Sequence, residues 1–496
     1  MKVKKSGKGI ENKLFYIGVI VFIAMFFVFY PQFMSISDEN IHLSMVNQLS
    51  QGKITVDDVF DSHMYFEKDG VFAPRYPIGN SVVLLPFSFF NWRFIFLSGL
   101  VLHLLNTFVL VKIFKKFNLN KMYALLYLLY PGYVFYSRTI MSEMPTITFT
   151  LLGFYLYLKA DNGNKNENNK NMLYAGLMWG ISCLIRPTNA LVIVGAGIPM
   201  FYRAVKATLS RGKINIRKLL NNDNKKLIYL GLGVIPAFAL TLLYNYYITG
   251  NIFELVYSNA GVNVGKALFG FSSLLIYWKP IVIMLLVYPL MLLSPFIMKY
   301  KKKAEILWII VLFMIVLGKS NVIRYDWITN LVVGHRYFFT IIPLMLIPYS
   351  MFLKKYFKRL RILIVLCMVL LIIACPILMY KQDTYSDGKS EIMEQICDAV
   401  PENSVVVGYF WPDMFYLNNY FGNNYKILDM NNLKLSGYEG DYYLVHYNNK
   451  ELQDIVTNED DLMKLDESEV LFNELSLSNG FELFLDKGDL KVYYVG

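Results

Sequence analysis

Apolar residues recur along this chain in runs of about 20, the length that carries a helix through the hydrocarbon core of a bilayer. Phe15–Phe33, Phe94–Phe114, Leu227–Tyr247 and Leu360–Tyr380 are the clearest of eleven such stretches. Apolar residues fill 55% of the 496 positions and charged ones only 17%, too little polar surface to wet a soluble particle of this size. The first run follows the basic segment Lys2–Lys13, but it is long and no small-residue cleavage site closes it. It is expected to stay as a span and not to be removed as a signal peptide.

Basic clusters set the sidedness. Lys2–Lys13, Lys112–Lys121, Lys159–Lys170, Arg203–Lys226, Lys299–Lys303 and Lys354–Arg361 alternate with weakly charged connections, and short basic loops stay cytoplasmic. Spans are then expected near 14–33, 94–114, 122–136, 144–159, 172–185, 188–205, 227–248, 279–298, 304–319, 336–353 and 360–380, with the N-terminus inside and the tail outside. The net charge of +11 belongs to these loops, which excludes nucleic acid as a partner. Residues 381–496 differ, with 22 acidic residues against 8 basic. There Ser404–Tyr409, Tyr425–Met430, Tyr442–Tyr447 and Lys491–Val495 read as strands, and Ser390–Val400, Asp413–Tyr420 and Lys450–Lys464 as helices. The fold class expected is thus a multi-pass α-helical membrane protein of about 11 transmembrane helices over 1–380, with a small extracytoplasmic acidic α/β domain over 381–496. Asp161–Lys170 reads as a disordered polar loop, and Pro77–Phe90 as a helix lying at the interface.

Charges that gather at one lipid–water boundary need a use. Asp38–Glu39 closes the first span, and a carboxylate there suits the removal of a proton from an acceptor hydroxyl, with its neighbour holding ligand or metal; the alternative is a solvated helix end. Arg75 and Tyr76, between two prolines, would point at headgroup level, as a phosphate grip or as an interface anchor. Arg138 and Glu143 bracket an outer turn, Glu143 opening the next helix at its positive end. Arg186 ends an apolar run, where it either snorkels or meets an anionic lipid phosphate, and His335–Arg336 opens the tenth span. His63 follows Asp57, Asp58 and Asp61, a conceivable but undiagnostic divalent-metal setting. His42 and His103 read as ordinary residues. Cys183, Cys367 and Cys375 sit in apolar runs, and no C-x-x-C spacing, phosphate-cradling G-x-x-x-x-G-K-[ST] loop or G-x-S-x-G elbow occurs.

Taken in order and sidedness, these passages resemble the GT-C membrane glycosyltransferases, in particular the protein O-mannosyltransferase and aminoarabinose lipid A transferase branch. The carriers are Asp38–Glu39, Arg75-Tyr-Pro-Ile-Gly79, Ser137–Pro145, Gly180–Thr188 and Gly334–Pro343. The resemblance implies inverting transfer of a sugar from a polyprenyl-phosphate donor to a protein, lipid or cell-envelope glycan acceptor at the extracytoplasmic face. Under it Asp38 is the base, Glu39 its partner and Glu143 the acid of the second outer loop. Arg75, Arg138, Arg186, His335 and Arg336 then meet the donor phosphate, with Tyr76 and His63 positioning substrate and metal dependence open. A transporter or flippase of a lipid-linked saccharide is the alternative. It would carry polar residues deep in several spans and symmetric halves, neither of which is visible.

Overall fold

The computed structural model describes residues 6–36, 38–55, 65–68, 71–74, 76–89, 92–161, 164–209, 222–253, 288–317, 336–408, 425–429, 440–447, 470, 472–473, 476–477, 481–487 and 490–496. It is a multi-pass helical membrane protein carrying a C-terminal β-sheet domain. Helix α1 (Ser6–Val28) shows why the sequence builds a bundle. Phe15, Val19, Phe22 and Phe26 fall on one stripe and are buried, while Tyr16, Ile17, Ile20 and Phe27 are exposed although apolar. A helix apolar on every side fits a place with protein on one face and lipid on the other.

Helices α2 (Asp38–Ser50), α3 (Gly79–Ser88) and the hairpin β1 (Tyr65–Lys68) with β2 (Val71–Pro74) fill the first long loop. The sequence reading missed that hairpin, although Asp69-Gly70 between its strands is a strong turn signal. Then follow α4 (Leu97–Lys116), the short α5 (Leu125–Leu128) and α6 (Pro131–Tyr136), α7 (Glu143–Lys159), α8 (Lys165–Ile185), α9 (Ala190–Leu209), α10 (Asn222–Thr249), α11 (Ser294–Ile297), α12 (Lys303–Leu317) and α13 (Ile342–Ala399). Two helices meet most closely at α8 and α10. A Cβ on Gly233 would lie 2.0 Å from the Leu173 carbonyl oxygen, and one on Gly176 2.1 Å from that of Leu230. Small residues let the backbones touch, which is how helices gain dispersion energy where lipid is the solvent. Gly233→Val is expected to exceed the about 1–3 kcal/mol of ordinary overpacking, read as a lower unfolding temperature and poorer monodispersity in detergent.

Two expectations change here. Residues 165–170, read as part of a disordered loop, open α8: Asn164 caps it by accepting from the Glu167 amide at 2.9 Å, so the first turn is held by its own polar residues. Among the described residues three helices are long and apolar enough to cross a membrane (Arg93–Lys116, Pro187–Lys206 and Lys225–Thr249), with Asn12–Val28 a shorter apolar one. Expected span 122–136 is instead broken into short pieces at Pro131, and most of 279–298 lies outside the described residues.

Helix α13 is assigned helical over 58 residues, about 87 Å if straight. It doubles back. Just before it, the Phe339 carbonyl accepts from Tyr133 Oη at 2.8 Å, while later Gln382 meets Arg138 at 3.0 Å, five residues from Tyr133. Midway, Lys354 donates to the Asn118 carbonyl beyond the far end of α4. The run therefore crosses the bundle twice, reversing near its basic cluster. At that far end Asp161 bridges Lys226 and Lys302 (both 2.9 Å), and buried Glu305 takes Arg203 at 2.8 Å.

Beyond α13 stands a five-stranded sheet of order β4-β3-β5-β7-β6, from β3 (Val405–Gly408), β4 (Lys426–Asp429), β5 (Tyr442–Tyr447), β6 (Phe481–Lys487) and β7 (Leu490–Val495). β4, β3 and β5 are parallel and β5, β7 and β6 antiparallel, with a bulge between Leu483 and Leu485. β6 escaped the sequence reading; Asp413–Tyr420 and Lys450–Lys464 lie outside the described residues. The sheet is not a free appendage: Val406, Val445 and Val492 share one core with Leu43 and Val46 of α2, Leu84 of α3, and Ile140.

Candidate active site

Four elements converge at one end of the bundle. Helix α3 is wedged among them. A Cβ on Gly79 would lie 2.6 Å from the Leu184 carbonyl oxygen, so the start of α3 lies on the end of α8. Asn80 donates to the Ile140 carbonyl at 3.0 Å, and Ser81 to that of His42 at 3.4 Å. Below, Ser182 accepts from Asn189 and donates to the Thr146 carbonyl, and Thr340 donates to Asn189 at 3.2 Å. This buried polar chain brings the residues before α13 beside the α8–α9 junction.

Two ion pairs result. Arg186 Nη2 donates to Glu143 Oε1 at 2.8 Å, and Arg336 Nη1 lies 3.5 Å from Asp38 Oδ2. They are neighbours, because the Arg336 charge is coupled to Glu143 as well as to Asp38. Both guanidiniums meet the Tyr337 ring, whose centroid is 5.9 Å from that of Arg186 and 5.3 Å from that of Arg336. Glu143 is fully buried, whereas the side chains of Arg186, Arg336 and Asp38 keep 17%, 14% and 18% of their exposure. The reachable groups are thus one carboxylate and two guanidiniums, with a sealed acid behind one of them.

The profile of the family described as dolichyl-phosphate-mannose-protein mannosyltransferase matches residues 64–249. ArnT from Cupriavidus metallidurans in the apo state aligns with a TM-score of 0.59 at 12% identity, over 98% of both chains. The same protein bound to undecaprenyl phosphate aligns with a TM-score of 0.61 at 10% identity, over 97% of this chain and 98% of that one. No curated protein matches by sequence. The chain shares the fold of these structures, and its residues 64–249 match the mannosyltransferase family profile.

Not every expected residue faces this site. Asp38, Glu143, Arg186 and Arg336 come together, and Tyr76 stands near them through its ring contact with His42. Arg75, His63 and His335 lie outside the described residues. Glu39, expected as a partner of the base, is fully buried and turned away: Oε1 accepts from the Ser35 and Ile36 amides and Oε2 from that of Ile140, each at 2.9 Å. Arg138, expected at the donor phosphate, is also fully buried. It donates to the Met379 carbonyl at 2.6 Å, to Gln382 and Asp383 at 3.0 Å, and to the Phe29 carbonyl. A buried charge spends its donors on whatever can satisfy it, and here these are the Phe29 carbonyl just past α1 and, on α13, the Met379 carbonyl and the Gln382 and Asp383 side chains. Both residues are corrected to pins that hold the site's frame. Sequence reasoning passed over Tyr337 and His42. The signals were there, since Tyr337 follows Arg336 and His42 stands one helical turn after Asp38. Among the described residues no group of three or more His, Cys, Asp or Glu is assembled for a metal.

Glu39 has a pH consequence. Burial pushes its carboxyl up to about 7, against the pull of the Ile140, Ile36 and Ser35 amides and of Lys389. An acid whose folded pKa lies above its unfolded value, 4.5 here, binds its proton more tightly when folded. That contribution is complete below the unfolded value and lost as pH rises through about 7. Thermal unfolding in detergent should therefore show the wild type losing stability across this window. Glu39→Gln should be flat there and lower throughout by about 1–3 kcal/mol, because its amide NH2 opposes the Ile140 N–H.

Proposed function

We propose that this protein is a GT-C-type glycosyltransferase that moves a sugar, with inversion at the anomeric carbon, from a polyprenyl-phosphate carrier to an acceptor hydroxyl or amine at the extracytoplasmic face. The observation that carries this reading is the pairing of Asp38 with Arg336 beside Glu143–Arg186, from segments up to some three hundred residues apart. Asp38 takes the proton of the acceptor nucleophile, which attacks the anomeric carbon as the bond to the phosphate oxygen breaks. The electron pair leaves on the polyprenyl phosphate, and Arg186 and Arg336 meet the growing anion in a partly dehydrated site. Paired with Arg186, Glu143 enters as an anion that aims the guanidinium, in place of the acid role expected for it. Tyr76 is assigned to substrate positioning, and Arg75 and His335, which lie outside the described residues, keep their expected assignment to the donor phosphate. The undecaprenyl phosphate bound to the similar ArnT supports a lipid-phosphate donor.

The membrane frame proposed is the one read from charge: about eleven spans within 1–380, the N-terminus and basic loops cytoplasmic, and 381–496 outside. The convergence of Asp161, Lys226, Lys302, Arg203 and Lys354 on the end opposite Asp38 supports that sidedness. The test is incubation of the purified protein with a panel of polyprenyl-phosphate-linked hexoses and pentoses and envelope acceptors. The expected result is a mass-resolved glycosylated product together with free polyprenyl phosphate. Vesicle translocation of a saccharide lipid with no bond broken would instead establish the transporter reading.

A further inference from the structure

The imidazole of His42 is 1% exposed, and the mechanism above gives it no task. It stands four residues beyond Asp38 on α2, hence on the same helix face. Tyr76 meets it edge-on, with ring centroids 5.1 Å apart, and the His42 carbonyl is tied to Ser81. Its Nε2 is buried and has no hydrogen-bond partner among the described residues. Leaving a buried polar atom unpaired is costly, a cost that binding relieves if the ligand supplies the missing partner.

The charges around it locate that ligand. His42 interacts electrostatically with Asp38 on its own helix and with Arg186 at the α8–α9 junction. Burial, with Arg186 and against Asp38, holds the imidazole down at about 4, so it is neutral at ordinary pH. In an inverting transfer the nucleophile sits at the base and the phosphate at the arginines, with the sugar ring between them. His42, one turn from Asp38 on α2 and against Tyr76, stands at the base's end of that arrangement. From this placement, and resting on the proposed transferase reading, we infer that His42 Nε2 hydrogen-bonds a ring hydroxyl of the transferred sugar. It is then a sugar-recognition residue that selects a hydroxylated sugar over its deoxy analogue. A neutral imidazole suits this role, since it exchanges one hydrogen bond with an uncharged hydroxyl and adds no charge to compete with the arginines for phosphate.

The test compares polyprenyl phosphate with the polyprenyl-phosphate hexose that the full-length wild type binds best, using the wild type, His42→Phe and His42→Gln. Phe keeps the aromatic contact with Tyr76 but has no nitrogen; Gln restores a polar atom near Nε2. Expected for His42→Phe is affinity for bare polyprenyl phosphate within twofold of wild type and a loss of about tenfold or more for the sugar-linked lipid, partly recovered by Gln. Where turnover is seen, the same loss should appear in kcat/KM and should be absent with a donor deoxygenated at the recognised position. Equal loss for both lipids, or no loss for either, overturns the assignment. Because binding is read without turnover, a wild type that binds sugar-lipid selectively yet transfers nothing refutes the transferase reading and leaves the His42 result standing on its own.

Discussion

Asp38→Asn should abolish sugar transfer while leaving the fold intact. Asparagine keeps the shape of the side chain and an oxygen toward Arg336 but cannot accept the proton of the attacking hydroxyl. Loss of a positioned general base costs about 10²- to 10⁴-fold in rate. The stability change should be modest, about 1–3 kcal/mol, because the amide keeps an oxygen toward Arg336 across a long contact of 3.5 Å between side chains that keep only 18% and 14% of their exposure. Transfer from a polyprenyl-phosphate sugar and thermal unfolding measured on one preparation separate the two effects. Retained transfer would remove Asp38 as the base; a collapsed Tm would recast it as a structural residue.

The reverse pattern, large in both readouts, is expected at Arg186. Removing the guanidinium with Arg186→Met strands Glu143, which is fully buried and whose Oε2 already has no partner among the described residues. An uncompensated buried charge costs about 3–5 kcal/mol, so the variant should unfold at much lower temperature and bind polyprenyl phosphate poorly. Adding Glu143→Gln removes the stranded charge. The double variant should regain most of the stability and none of the donor affinity, because what neutralises the phosphate is still missing. Recovery of both would mean that Arg186 acts only as the partner of Glu143. No recovery of stability would mean that the pair is not what holds the α7 start to the α8 end.

The sequence made the multi-pass helical class and the C-terminal sheet legible, and particular residues show why. Each apolar run announces itself by length, and the basic clusters between runs mark one side. Spans lacking either mark were read less well: 122–136 is apolar throughout, yet Pro131 divides it. In the tail, four strands with β-branched or aromatic centres were found, while Phe481–Lys487, alternating with acids, was not. The site was legible in membership more than in role. Asp38, Glu143, Arg186 and Arg336 could be named because a charge beside an apolar span needs a use.

Residue type alone could not say which charges face a ligand and which face the protein. Glu39 and Arg138 carry the same functional groups as Asp38 and Arg186 and lie at the same end of the bundle. They differ in what surrounds them, three backbone amides for one and two backbone carbonyls with Gln382 and Asp383 for the other. His42 makes the opposite point, a residue read as ordinary in sequence that burial beside Asp38 and Tyr76 left with an unspent nitrogen. Local sequence thus determined the elements and their polarity, because helix length, hydropathy and loop charge act over short stretches. Which polar atoms are satisfied and which are kept for a substrate was decided only by the tertiary structure, since that depends on partners brought in from as far away as Asp38 is from Arg336.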